Sequence, residues 1–124
     1  RRGRRRSPGF LDLGEGASGR ARLGGAAGPW AGLQAAPEMY EYLWDWGVSG
    51  VAADNPSLER SPVETDPLHR AVLARLGILI GELWRLDSLA THCASTGRAE
   101  FLLTSAPLII PGSAGSTANA MAIT

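Results

Sequence analysis

The chain has 124 residues, 44% of them apolar, with twelve basic and twelve acidic side chains and a formal charge of zero. That is enough for one domain with a modest core, and a neutral molecule sets up no overall field that would draw it to nucleic acid or to an anionic membrane. A lone cysteine, Cys93, excludes an internal disulfide, and without a Cys/His cluster for structural zinc the expected compartment is reducing and cytoplasmic.

Residues 1–35 open with Arg-Arg-Gly-Arg-Arg-Arg and carry most of the sixteen glycines. They show neither helical nor strand periodicity, which predicts a low-complexity, disordered Gly/Arg-rich segment ahead of a folded part at 36–124. Phe10, Leu11, Leu13, Trp30 and Leu33 are isolated anchors in it, suited to packing on the body or on a partner. The arginine run has no interleaved aromatics and reads as a solvated tail, so no nucleic-acid partner is expected. No apolar stretch resembles a signal-peptide core or approaches the roughly 20 residues that span a bilayer, so no membrane partner is expected either.

From Pro37 the punctuation is regular. Pro37 suits a first helical turn and Gly47 a left-handed stop, and between them Met39, Leu43 and Trp46, supported by Tyr42, share one apolar face. Val48–Asp54 reads as a buried strand of small residues, and the prolines at 56 and 62 make the following segment a loop. Asp66 and Pro67 supply an N-cap and a first-turn residue for a helix ending at Gly77, with Leu68, Val72 and Leu76 as its stripe and His69 at the stripe's edge. Ile78-Leu79-Ile80 is a short buried strand delivering the chain to Gly81 and Glu82.

A further helix is predicted from Asp87 to Gly97, then a strand in Ala99–Ile110 ahead of a Gly/Ser-rich loop, and a last strand at 120–124. Such alternation implies an α/β fold, a mixed and partly parallel sheet with helices packed on it. Ligands in such sheets sit at strand ends.

The chemistry-bearing residues are few. His69 and His92 are the only imidazoles, so no HxxxH or HExxH pattern exists, and no serine lies in a GxSxG elbow. His69 and Glu82, brought from a helix and a strand end, would suit two positions around zinc or manganese, which accept imidazole and carboxylate together. On spacing alone, a histidine beside an apolar stripe reads first as a hydrogen-bonded structural residue.

Three stretches, LWDWGVSGVAADNPSLE, PLHRAVLARLGILIGELWRLDSLATHCASTGRAEFLLTSAPL and PGSAGSTANAMAI, together resemble the C-terminal half of the cyclase family of metal-dependent hydrolases, the group that includes bacterial kynurenine formamidase. The resemblance runs over about residues 29–124. It implies a partial swivelling β/β/α domain and a zinc or manganese site that activates water against an amide or ester-like carbonyl of a small amide or cyclic substrate. His69 and Glu82 match the family's metal-binding histidine and glutamate in this half. Asp54, Asn55 and Ser57 match a segment that approaches the site, although Asn55-Pro56 also suits a plain turn capped by Asp54. A homo-oligomer is compatible with the family.

The family's His-x-Gly-Thr-His-x-Asp motif has no match in this chain. The expectation is therefore a fragment of a hydrolase, inactive alone for want of its remaining ligands. The alternative is a non-catalytic structural or interaction remnant.

Overall fold

A computed structural model describes residues 29–62 and 66–124. The anchors at Phe10, Leu11 and Leu13 and the arginine run lie outside the described residues. The described residues divide into two units, 29–86 and 87–124.

In the first unit, Ala36 is extended and Pro37 begins helix α1 (Pro37–Asp45). Proline is favourable there because its missing N–H has no partner to lose. Gly47, at φ 64°, closes the helix in the left-handed region that a side chain would resist. The buried face differs from the expected one. Leu43 is buried, with Met39 and Tyr40 packed beside it, whereas Tyr42 and Trp46 stay exposed and meet as a tilted ring pair, centroids 5.8 Å apart and planes at 43°. Trp46 lies past the helix end as its C-cap residue, so helical spacing no longer governs where its ring goes.

Strand β1 (Gly50–Ala52) pairs in parallel with β2 (Leu79–Gly81), in the register Gly50 to Leu79, Val51 to Ile80 and Ala52 to Gly81. A parallel pair needs a long crossover, and here it carries the loop after β1 and a second helix. The expected full burial of these strands is not found. Ala53 and Ile78 are buried at the ends of the pair, while Gly50, Ala52 and Leu79 are exposed.

The crossover helix is a π-helix over Arg70–Arg75, entered through helical residues Leu68 and His69. Its wider turns are seen in the bond from Leu76 N–H to Ala71 O, 3.1 Å, five residues back. Its start also departs from the sequence reading. Asp66 does not cap it; its carboxylate pairs with Arg70 and Arg75, each at 3.3 Å. The free N–H of Leu68 donates instead to a carboxylate oxygen of Glu59, nine residues earlier.

One cluster forms the core of this unit: Leu33, Leu43, Ala53, Leu58, Leu68, Val72 and Ile78. Leu68 and Val72 have no exposed surface, and full burial of such a side chain contributes about 1.5–3 kcal/mol. Leu33 belongs to this cluster, and Trp30 bridges to Ser61 and Leu33 to Glu59, so these two anchors pack on the body.

In the second unit, α2 (Asp87–Thr96) ends at Gly97, φ 65°, and β3 (Leu102–Thr104) pairs antiparallel with β4 (Met121–Ile123). The order helix, strand, helix, strand, helix, strand, strand is as the sequence predicts. The single mixed sheet is not: the strands form two two-stranded sheets, one parallel and one antiparallel. No helix among the described residues is long and apolar enough to cross a membrane.

Candidate functional site

The site is built around the loop after β1. Leu33 N–H donates to Leu58 O at 2.9 Å, Arg60 N–H to Leu33 O at 3.0 Å and Ser61 N–H to Trp30 O at 3.2 Å, so residues 58–61 lie against residues 30–33 as a bonded ribbon. The indole N–H of Trp30 adds a bond to Glu59 O at 3.0 Å. Gly32 makes this approach possible: a Cβ there would stand 2.5 Å from the carbonyl carbon of Glu59.

With its backbone pinned, Glu59 turns its carboxylate inward, where it is buried. A buried carboxylate must be fully partnered to be tolerated. Here one oxygen accepts from the N–H of Leu68, and the other lies 3.1 Å from Nδ1 of His69. The same residue thus caps the crossover helix and grips the imidazole on that helix's first turn.

Glu82 arrives from the other side. It follows β2, and the next residue, Leu83, has φ 55°, a conformation that costs a branched side chain about 1 kcal/mol. Two backbone bonds hold the turn: Leu83 N–H to Asn55 O and Trp84 N–H to Ala53 O, both 3.0 Å. Gly81 gives the Trp84 ring room, since a Cβ on it would come within 2.7 Å of the indole. The turn directs Oε1 of Glu82 to the N–H of Leu58 at 2.7 Å and to Nε2 of His69 at 3.1 Å.

The imidazole of His69 therefore stands between two carboxylates, Glu59 on Nδ1 and Glu82 on Nε2. A neutral ring carries one proton, so only one of these contacts is a hydrogen bond in that state. The other becomes a hydrogen bond when the ring carries a proton on both nitrogens, and a shared cation would equally relieve the facing lone pairs. Negative charge marks this corner: burial first, then Asp66 and Glu59, raises the pKa of the Tyr40 phenol, partly offset by Arg75. Tyr40 thus stays protonated and donates to Asp66 O at 3.4 Å.

The spacing of two donors can be compared with what a metal ion would require. Zinc ligands lie about 2.0–2.2 Å from the ion, so two ligands sharing it are roughly 3.0–3.5 Å apart at ordinary coordination angles. Nε2 of His69 and Oε1 of Glu82 have that spacing at 3.1 Å. Among the described residues no group of three or more His, Cys, Asp or Glu could hold a metal by itself.

Asn55 is buried, and its side-chain amide donates to Ala31 O while its backbone carbonyl accepts from Leu83. Asp54 and Ser57 are partly exposed in the same loop. His92 is exposed on α2, and Cys93 is partly buried there. Glu59 was not among the residues that sequence reasoning selected. An acid in a Pro-bounded loop ten residues before a histidine carries no recognisable spacing.

No family model and no curated protein matches the chain. Among solved structures, the crystal structure of a protein described as a novel cyclase is similar, with 42% sequence identity and a TM-score of 0.67. The chain resembles a cyclase. The match covers 77% of this chain and 31% of the cyclase, so the chain spans about a third of the length of that relative.

Proposed function

We propose that this chain is the C-terminal portion of a metal-dependent hydrolase of the cyclase family, with the swivelling β/β/α fold of that group. His69 and Glu82 supply two ligands of a zinc or manganese site. The observation that carries the reading is the convergence of Nε2 of His69 and Oε1 of Glu82 at 3.1 Å, in a chain 42% identical to a described cyclase over most of its length. A bound ion would lower the pKa of water and polarise the substrate carbonyl. The chain's own part is to hold the two donors: the Leu58 N–H fixes the Glu82 carboxylate, and the helix start fixes the imidazole. The substrate class is a small amide or cyclic carbonyl compound, with a formylated aromatic amine, as in kynurenine formamidase, the first to try.

Two donors do not complete a catalytic site. The other ligands belong to a segment with the His-x-Gly-Thr-His-x-Asp motif, and alone this chain is inactive. The test is co-expression with such a segment from a cyclase, followed by zinc and manganese titration and an amide-hydrolysis assay. The expected result is metal-dependent hydrolysis, with Glu82→Ala and His69→Ala each weakening metal binding by about tenfold or more. An assembled protein indifferent to both metals would contradict the reading.

A second reading rests on a different observation. Leu102, Leu103, Leu108, Ile109, Ile110, Met121 and Ile123 are all exposed, and apolar surface of this kind suits an interaction or structural role without catalysis. A stable metal-free homodimer that survives Glu82→Ala unchanged would favour it.

A further inference from the structure

We propose that Glu59 is the positioning residue of this site, fixing His69 in the tautomer that carries its proton on Nδ1 and presents a bare Nε2 toward Glu82. The functional meaning rests on the metal-site reading above; the orientation of the ring does not, and is testable without metal.

The geometry supports this in three steps. The backbone of Glu59 cannot drift, because the Trp30 indole, the Leu33 ribbon and the close approach of Gly32 hold it on one side. Its carboxylate cannot turn away, because one oxygen takes the N–H of Leu68, which can only donate. The remaining oxygen lies 3.1 Å from Nδ1 of His69, one residue along the same helix start. A carboxylate held like this can only accept, so Nδ1 must donate. Metal-binding histidines commonly use such an outer carboxylate to set tautomer and ring orientation.

Glu82 is the weaker candidate for this role. It is more exposed than Glu59, and its contacting oxygen already serves the N–H of Leu58. The two carboxylates thus divide the work: the buried one orients the ring and the more open one faces the bare nitrogen.

This division predicts an unusual effect of Glu59→Gln, which preserves shape. The amide oxygen of Gln must face the Leu68 N–H, since the amide NH2 there would oppose a second donor. That leaves the NH2 facing Nδ1, which must then accept, and the proton moves to Nε2. The tautomer inverts while the packing is kept.

The experiment is an imidazole nitrogen NMR spectrum of the full chain labelled on histidine, in mildly alkaline metal-free buffer, with exposed His92 as the internal reference. His69 is expected to carry its proton on Nδ1 in the wild type and in Glu82→Gln, and on Nε2 in Glu59→Gln. The manganese affinity read from broadening at His69 should fall about 10–100-fold in Glu59→Gln. Should Glu59→Gln fail to fold, the wild type and Glu82→Gln still decide the matter. A wild-type ring protonated on Nε2 or on both nitrogens, or a tautomer that follows Glu82 and not Glu59, would overturn the proposal. The predicted tautomers, together with a co-expressed assembly indifferent to zinc and manganese, would leave Glu59's role standing and remove the metal-site reading instead.

Discussion

The two units are made of similar local parts and differ in what those parts bury. Residues 29–86 combine short strands and helices with a seven-residue core that includes Leu68 and Val72. Residues 87–124 combine a helix and a two-stranded ladder, yet none of these residues is buried, and Ile109 is 96% exposed and Leu102 63%. An isolated two-stranded hairpin is marginal in water. What separates the units is thus long-range closure. In the first, the ribbon at 30–33, the loop at 58–61 and the start of the crossover helix are bonded across distant parts of the chain, and Glu59, His69 and Glu82 lie where those bonds converge.

The largest expected effect is a contrast of core deletions. Leu68→Ala should destabilise the first unit by about 2–5 kcal/mol, whereas Leu102→Ala should change stability by no more than about 0.5 kcal/mol. Urea unfolding followed by amide signals in each unit measures both. Equal costs would erase the contrast.

Gly32→Ala tests whether closure and site are one structure. The added methyl meets the Glu59 backbone at 2.5 Å, and overpacking of this kind costs about 1–3 kcal/mol. The His69 ring signals should shift as well, because the displaced residue is the one that holds them. A stability loss with unmoved His69 signals would separate the two.

Glu82→Ala leaves the N–H of Leu58 without its acceptor, at about 1 kcal/mol for a partly exposed pair. The smallest effects come from backbone chirality. Leu83→Gly relieves a left-handed conformation of about 1 kcal/mol, and glycine's greater freedom when unfolded takes back most of that, leaving a gain of about 0.5 kcal/mol or less. Gly97→Ala, at φ 65° in the other unit, should cost about 1 kcal/mol. Thermal unfolding of the pair should move in opposite directions.

Element order was legible because its signals are local: Pro37 with Gly47, and Asp87 with Gly97, bracket helices through backbone preferences carried by single residues. Facing was less so. Trp46 satisfies the spacing of the α1 stripe but falls one residue beyond the helix, and the strand residues Gly50 and Leu79 are exposed despite apolar sequence. His69 and Glu82 were selected through their resemblance to a family, and the structure places Nε2 of the one 3.1 Å from Oε1 of the other. Glu59 was not. Its role depends on a backbone donor nine residues away and on the ribbon against Gly32, and neither leaves a periodic trace. Asp66, whose position suggested a cap, is drawn off by Arg70 and Arg75, which leaves the Leu68 N–H to Glu59.

The most direct measurement is a manganese titration of the uniformly labelled chain, read as paramagnetic broadening of backbone amides. The predicted result is broadening centred on Leu58, Glu59, His69 and Glu82 and abolished by Glu82→Ala. Broadening spread over acidic residues elsewhere, or unchanged by Glu82→Ala, would contradict the assignment of this carboxylate–imidazole cluster as half of a metal site.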